Sequence, residues 1–600
     1  MCSLLLIADK RESIPDLAAY GKRFLQMNKK RGPDMSGSEV MNHVFLGSNR
    51  LRIIGENEEG KMPMKSTERN VYIVFNGEIY NYEEVRQALI EKGRTFKTNT
   101  DTEVILEAYL HYGESFTSFL NGIFSIAIYD GERGIVLLAR DRFGAKPLYY
   151  FNDQSLLMAD SGFLSLCEAI SEKHKMKVDA EALDALVFLR FVPGDKTIFS
   201  GIHKVLPAEQ IVFNLANGEV QKSIYWKATL EIQKYSQEDF NTHLEKAINL
   251  TAKSDVEFGV LLSGGLDSSL VTAKLAEEKL QSFSASFKDA VDITKKSELD
   301  FSSITNGNLD ESFYSKKVSD LFKTKHSHLA LDYDFSSQKA IEFMTALEEP
   351  MASPNALGTF LMAEQIKDSV QLKLLLSGTG ADELLGGYLD LYFSNRTSME
   401  NASAEHLLKR FANFDSPIDT RKYLKNAQGT NSYLQSYLDT VMKPFSSLEK
   451  KEEVLNQIMI FELGFGLPYW ELEQADKLFM HFSMELRSSF LENDFLNYCL
   501  SISSVDKKDK KPLRIAGKGL LPDDVLERRK IPSLSTPEAI EKTSWFKEWK
   551  EDLEKRPLKI WSSAISELQS SVKELDVVYR LAYIQAWFKN IGIRYIDGEL

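Results

Sequence analysis

The sequence predicts an α+β N-terminal domain followed by an α/β parallel-sheet domain with a helical C-terminal part, and three observations predict it. Residues 1 to about 215 carry short β-rich runs separated by Asn-Gly and Asp-Gly turn signals. Apolar runs at 258–262, 282–287 and 372–376 alternate with helical patterns, the mark of βαβ units around a parallel sheet. Beyond about 390 the apolar spacing is mainly helical.

Length agrees with this division, since 600 residues at roughly 100 to 200 per domain make two or three units. The β-rich runs are 71–75, 124–129, 135–139 and 210–213. A hairpin-like segment at Asn217-Gly218 and a polar stretch at 233–238 lead into 240–250, whose spacing suits an amphipathic helix. The boundary is therefore expected there, with one domain over 1–215 and a second over 235–600. Residues 288–310, rich in Ser, Asp, Lys and Asn, read as a mobile surface loop.

Composition excludes several functions. The net charge of -14, without a Lys/Arg block, argues against a nucleic-acid partner. No stretch approaches the roughly 18 apolar residues of a membrane helix, and the apolar run at 4–8 is too short for an export signal. Cys2, Cys167 and Cys499 lie far apart, which fits neither a disulfide framework nor a zinc site. A cytoplasmic protein is expected.

Removal of Met1 would place the Cys2 thiol beside a free α-amine, whose ordinary pKa of roughly 7.7 to 8.0 suits a general base. Asn76-Gly77 offers a side-chain amide and a backbone N–H for an oxyanion, Arg50 a clamp for a carboxylate, and Asp101 a partner for an ammonium. Each could instead be structural: Asn76-Gly77 as a turn, Arg50 as a surface charge, Asp101 as a helix cap. As an ordered set with Arg31-Gly32-Pro33-Asp34, Arg140-Asp141-Arg142-Phe143-Gly144 and Lys146-Pro147-Leu148-Tyr149, they resemble the class II glutamine amidotransferase domain. That resemblance implies an αββα sandwich of the N-terminal-nucleophile type. It makes Cys2 the nucleophile, with its own amine as base, and assigns glutamine binding to Arg50, Leu51, Ile53, Asn76, Gly77, Glu78 and Asp101. Lys30 departs from the His that asparagine-forming members often carry.

The run 258–262 ends in Ser263-Gly264-Gly265-Leu266-Asp267-Ser268-Ser269 before a helical pattern, a geometry that points backbone N–H groups and a helix dipole at an anion. No Gly-Lys-Ser/Thr follows, so this is not a Walker A loop. A second loop, Ser377-Gly378-Thr379-Gly380-Ala381-Asp382-Glu383, follows the next apolar strand and would face the first across the carboxyl ends of the sheet. Asp267 and Asp382 could then hold Mg2+ on a departing pyrophosphate, or each could cap a helix.

These loops resemble those of AMP-forming ATP pyrophosphatases. With Ala475-Asp476-Lys477, Met484-Glu485-Leu486-Arg487, Phe490-Leu491, Leu513-Arg514 and Arg529-Lys530, nearly the whole chain is similar to the asparagine synthetase family. The resemblance implies an ATP site at Leu261, Ser263, Gly264, Gly265, Asp267, Ser268, Ala285, Ser377 and Gly378. Thr379, Asp382 and Glu383 would lie by the acceptor, and Lys530 would stabilise charge during adenylation. ATP and Mg2+ are the implied cofactors, the partners being glutamine, ATP and a carboxylic acid. A homodimer is an expectation of the family alone.

Four departures bear on the acceptor. Thr379 stands where asparagine-forming relatives usually have Glu, and Thr cannot act as a carboxylate base. Ser489 replaces the usual Pro, Glu492 the usual Asp, and Ser533-Leu534 the usual Gly-Phe, changes expected to cluster on the acceptor side. Aspartate is the first reading for the acceptor. A sugar uronic acid or a secondary-metabolite acid is the alternative, and a catalytically degraded regulatory relative the third.

Overall fold

The computed structural model describes residues 2–55, 58–229, 231–276, 280–287, 311–388, 450–528, 540–563 and 572–596, with Leu424, Tyr433, Ser436, Tyr437 and Ile565. The expected loop at 288–310 lies outside them.

Twelve strands open the chain: β1 (Cys2–Asp9), β2 (Met35–Met41), β3 (Val44–Arg50), β4 (Met64–Lys65), β5 (Val71–Ile79), β6 (Gly122–Asp130), β7 (Ile135–Arg140), β8 (Tyr149–Asn152), β9 (Leu156–Asp160), β10 (Ile202–Lys204), β11 (Glu209–Asn214) and β12 (Val220–Ile224). They form two six-stranded sheets, ordered β10-β8-β9-β1-β3-β2 and β12-β11-β7-β6-β5-β4. β1 shows why its sequence is apolar without interruption. Leu4, Leu6 and Ala8 enter a core shared with Ile73, Phe75 and Ile126 of the other sheet. Leu5 and Ile7 face the other way, onto Phe24 and Leu25 of the helix Leu17–Met27 and Phe163 and Leu166 of the helix Phe163–Ser171. The helices Tyr82–Glu91 and Asp101–Tyr112 add Val85, Leu89, Val104 and Ile105 to the core of the second sheet. The layers make an αββα sandwich.

A third sheet holds β13 (Phe258–Leu261), β14 (Gln281–Phe287), β15 (Lys325–Leu331), β16 (Leu374–Ser377) and β17 (Glu485–Ser488), all parallel, in the order β15-β14-β13-β16-β17. Strand order reverses between β13 and β16, so a crevice opens at their carboxyl ends. The helices Leu266–Lys274 and Ala381–Leu385 begin beside it. β17 is a strand inside the part of the chain whose spacing is mainly helical. Four residues are too few for periodicity to register, and the strand exists because all four pair with β16, more than a hundred residues earlier. Among the described residues no helix is long and apolar enough to cross a membrane.

Candidate active site

Strand register assembles the first cluster. Cys2, at the start of β1, lies opposite Arg50 at the end of β3. The Cys2 backbone nitrogen donates to Asn76 Oδ1 across the two sheets at 3.0 Å. Asn76 and Gly77 sit inside β5, opposite Ser125 and Phe124, so they are not a turn. Asn76 Nδ2 lies 3.4 Å from both Ser125 Oγ and Ser161 Oγ. Gly77 has φ +155°, and a Cβ there would fall 2.0 Å from the Ile123 carbonyl oxygen, so the close approach of β6 demands glycine.

Arg50 is 8% exposed and donates to the Ile54 carbonyl at 2.7 Å, so it is no surface charge. Thr100, not Asp101, caps the helix Asp101–Tyr112, and Asp101 Oδ2 accepts from the Ile79 backbone at 3.3 Å. Burial pushes the Cys2 thiol up from its ordinary value, with the positive charge of Arg50 opposing it. Burial likewise raises Asp101, and it raises Glu78 well above the carboxylate range, with Asp101 adding to the effect. The cluster is buried and brings together a thiol, an amide, a guanidinium and two carboxylates whose charged forms burial disfavours.

Glu78 is held from the third sheet. Its Oε2 lies 3.2 Å from Nη2 of Arg487 on β17. Arg487 also donates to Glu485 at 2.5 Å and to the carbonyls of Thr251 and Lys253 at 3.1 and 2.8 Å. The next residue, Ser488, donates to the Thr379 carbonyl. β17 therefore touches the thiol cluster through one side chain and the second Gly-rich loop through its neighbour.

The same junction absorbs several sequence motifs. Arg31 and Lys146 both pair with buried Asp476, at 2.6 and 2.9 Å, and Tyr149 donates to Glu473 at 2.8 Å. Leu51 and Ile53 pack with Leu374 and Met480 in a small apolar cluster. Lys30 reaches His481 Nε2 at 2.9 Å.

The second cluster lies at the crevice. Ser263 Oγ accepts from the Gly265 backbone at 3.3 Å and lies 3.2 Å from Ser268 Oγ. A Cβ on Gly378 would come within 2.9 Å of Asp267 Cβ, so the two Gly-rich loops touch. Gly265 and Gly380 are the caps of the helices Leu266–Lys274 and Ala381–Leu385, so neither Asp267 nor Asp382 is a helix cap. Both carboxylates instead converge on Lys510 Nζ, at 2.6 Å each. Sequence reasoning missed Lys510, which sits in a lysine-rich run shortly before Leu513-Arg514 that does not mark which lysine is buried. Leu261 and Ala285 pack together against the large core of the sheet. Thr379 Oγ1 accepts from Ser377 Oγ at 3.1 Å, and Glu383 accepts from Tyr388 at 3.3 Å.

Two buried carboxylates that face one cation from opposite loops are a donor set suited to Mg2+. Among the described residues no group of three His, Cys, Asp or Glu stands ready for a metal. An ion held by Asp267 and Asp382 would complete its shell with phosphate oxygens and water.

Two of the departures have hydrogen-bonding partners of their own on neighbouring elements. Ser489 Oγ lies 2.7 Å from Thr251 Oγ1. Glu492 caps the helix Asn493–Ser501 through the Phe495 backbone at 2.9 Å and also accepts from Asn121 Nδ2, while Asn121 Oδ1 accepts from the Asn493 backbone at 3.2 Å. A polar residue at 489 and a longer acid at 492 fit because both meet hydrogen-bonding partners on neighbouring elements. Lys530, Ser533 and Leu534 lie outside the described residues.

Residues 1–226 match the glutamine amidotransferase domain family, and residues 239–570 match the asparagine synthase family. Asparagine synthetase [glutamine-hydrolyzing] 1 of Bacillus subtilis is 30% identical over 560 residues, which is 85% of this chain and 83% of that protein. Asparagine synthetase [glutamine-hydrolyzing] 3 of the same organism is 26% identical, over 92% of this chain and 89% of that protein. Amidase chry2 of Gibberella zeae is 26% identical, over 64% of this chain and 57% of that protein.

Proposed function

The chain belongs to the asparagine synthase family, and from that premise we propose that it is a glutamine-hydrolysing carbon–nitrogen ligase converting aspartate to asparagine with ATP. Its glutaminase domain would span 1–215 and its synthetase domain 235–600. The observation that carries this reading is β17, on which Arg487 holds Glu78 while Ser488 holds the Thr379 carbonyl. Two sites joined through one strand suit two reactions that share an intermediate.

With Met1 removed, the Cys2 amine, already seated on Asn76, takes the thiol proton as sulfur attacks the glutamine amide. Burial disfavours a standing thiolate, so the thiol is activated as it attacks rather than beforehand. Asn76 Nδ2 and the Gly77 N–H stabilise the oxyanion, each worth about 3 to 4 kcal/mol in comparable sites. Arg50 takes the glutamine carboxylate, and Glu78 with Asp101 the ammonium. Bringing that ammonium in restores charge to two carboxylates that burial holds up.

Collapse of the tetrahedral adduct breaks the C–N bond as the α-ammonium returns its proton to the departing nitrogen. Water then cleaves the thioester to glutamate, and the ammonia stays neutral where apolar side chains exclude water. Leu51, Ile53, Leu374 and Met480 supply such a surface at the junction. In the crevice, the loops at 263–268 and 377–380 bind ATP, whose α-phosphorus is attacked by the acceptor carboxylate as pyrophosphate leaves. Magnesium bound by Asp267 and Asp382 would neutralise charge on that pyrophosphate. Lys510 holds the same two carboxylates and adds a positive charge beside the leaving group. Lys530 is proposed to stabilise the adenylation step, and ammonia displaces AMP to give the amide.

Thr379 favours a second reading, in which the acceptor is another carboxylic acid, since its hydroxyl stands in the loop where a carboxylate is usual. One experiment separates the two: pyrophosphate release from Mg-ATP with glutamine, across aspartate and a panel of other acids, with the amide identified by mass. Asparagine supports the first reading. Silence with aspartate and turnover with another acid replaces it with the second, and no glutamate release from glutamine in any mixture rejects both.

A further inference from the structure

β14 and β15 run parallel with Ser282 opposite His326 and Ser284 opposite His328. Their alternate side chains form one ladder on a single face. Ser282 Oγ lies 2.6 Å from Thr324 Oγ1 and 2.9 Å from His326 Nδ1. Ser284 Oγ lies 3.1 Å from His326 Nε2 and 2.9 Å from His328 Nδ1. Ser286 Oγ lies 2.9 Å from His328 Nε2. At one end Thr324 donates to Ser319 Oγ at 3.0 Å, and Ser319 donates to the Thr324 carbonyl at 3.3 Å.

While both imidazoles are neutral, that end fixes every proton. Thr324 has given its hydrogen to Ser319, so Ser282 must donate to Thr324, and His326 Nδ1–H donates to Ser282. His326 Nε2 then accepts from Ser284, His328 Nδ1–H donates to Ser284, and Ser286 donates to His328 Nε2. Ser284 also receives the hydroxyl of Ser315, at 3.0 Å, a proton shared with the Ser312 carbonyl at 3.1 Å. Its donor and both lone pairs are thereby used. A proton on His326 alone is accommodated, since Ser284 can turn its hydroxyl to His328 Nδ1 while His328 Nε2–H donates to Ser286. With both imidazoles charged, two N–H groups and the Ser315 hydroxyl meet two lone pairs, so the ladder is complete only while one of them is neutral.

Ser315 is fully buried on the helix Glu311–Phe322, which packs against the first Gly-rich loop. Gly264 has φ +73°, and a Cβ on it would fall 2.4 Å from the Ser315 nitrogen and 2.6 Å from Tyr314. We propose that the Ser284–Ser315 link, held while one of His326 and His328 is neutral, is a positioning device that seats the 263–268 loop for ATP. This rests on reading that loop as the pyrophosphate site. The groups bearing on His326 are His328 on β15 and Lys316 and Asp320 on the adjoining helix. Burial first, then His328 and Lys316, press its pKa below the ordinary imidazole value, with Asp320 opposing. The ladder therefore stays closed near neutrality and opens in acid.

The test measures KM for ATP, kcat and glutaminase activity between about pH 5.5 and 8 in the full-length protein, S315A and S315T. Losing one hydrogen bond should raise KM for ATP about fivefold in S315A near neutrality. Its kcat and glutaminase activity should stay within about twofold, and S315T, which keeps the hydroxyl, should restore KM. The unaltered protein should show KM for ATP rising in acid, and S315A should not. Equal KM values for S315A and the unaltered protein, or the same acid rise in both, overturn the proposal. Should S315A fail to fold, an unaltered protein whose KM for ATP stays flat in acid overturns it alone. D267A, run alongside, separates the premises: retained pyrophosphate release rejects the loop reading, whereas its loss beside an unchanged S315A rejects only the ladder.

Discussion

The thiol cluster and the crevice of the parallel sheet keep charge in buried surroundings by opposite means. In the first, Asp101 and Glu78 are buried with their pKa values raised, and Glu78 has its cation on a distant strand. In the second, Asp267 and Asp382 share a lysine 243 residues after Asp267. On the proposed function the first site gains its balance from a ligand that brings an ammonium, whereas the second already holds one ammonium against two carboxylates, half of the compensation it needs. The difference teaches how each site is made: strand register builds one, and convergence of remote segments builds the other.

The sharpest break between them is chemical. Cys2→Ala should lower glutamine-dependent amide formation a thousandfold or more, to about the level of a lost nucleophile, while ammonia as nitrogen donor still works. Asp267→Ala should abolish pyrophosphate release with either nitrogen source and leave glutamate release intact. Product assays with the two nitrogen sources check both, and a Cys2→Ala protein that still uses glutamine normally removes the nucleophile assignment.

Lys510→Ala tests the second half of the comparison. It leaves Asp267 and Asp382 facing each other without their shared cation, and pyrophosphate release should fall about a hundredfold, the loss typical of one preorganised charge. Glutaminase activity should persist. Added Mg2+ should recover part of the loss, and a saturation curve identical to that of the unaltered protein would contradict the shared-cation reading.

Arg487→Met acts on the strand that joins the sites. It would leave Glu78 and Glu485 buried without their cation, at a cost of about 3 to 5 kcal/mol, readable as a lower denaturation midpoint. Glutamine-dependent synthesis should fall further than ammonia-dependent synthesis, because Glu78 belongs to the thiol cluster. Equal losses with both nitrogen donors would confine Arg487 to stability.

The two sites were also unequally legible. Cys2, Asn76, Gly77 and Asp101 could be read because each stands in a short motif whose chemistry is local, and register then brought them together. The sheet-rich first part and the parallel sheet were legible from runs of apolar residues, and the sandwich from the family resemblance. β17 was not, because a four-residue edge strand has no period of its own and is defined by its partner. Lys510 was hidden for a similar reason: nothing in a lysine-rich run says which ammonium will be buried on two carboxylates. The partners of Ser489 and Glu492 were not legible either, since a sequence does not show that the first meets Thr251 and the second Asn121.

Lys507, three residues before Lys510, carries the smallest effect and isolates what pairing is worth. It is 1% exposed and donates to the Cys499 carbonyl at 3.0 Å, where Lys510 has two carboxylates. Burial brings its pKa down to about 8. Between that value and the ordinary lysine value the unfolded chain binds more protons than the folded one, so stability rises with pH across this window. Below pH 8 the folded protein bears the whole cost, at most about 3 kcal/mol from the size of the shift. Lys507→Met should therefore raise the denaturation midpoint at pH 7, flatten the rise of stability above pH 8, and leave pyrophosphate release unchanged. A loss of pyrophosphate release on this substitution would mean that the lysine run acts as a unit, and that Lys510 is not distinguished by its carboxylates.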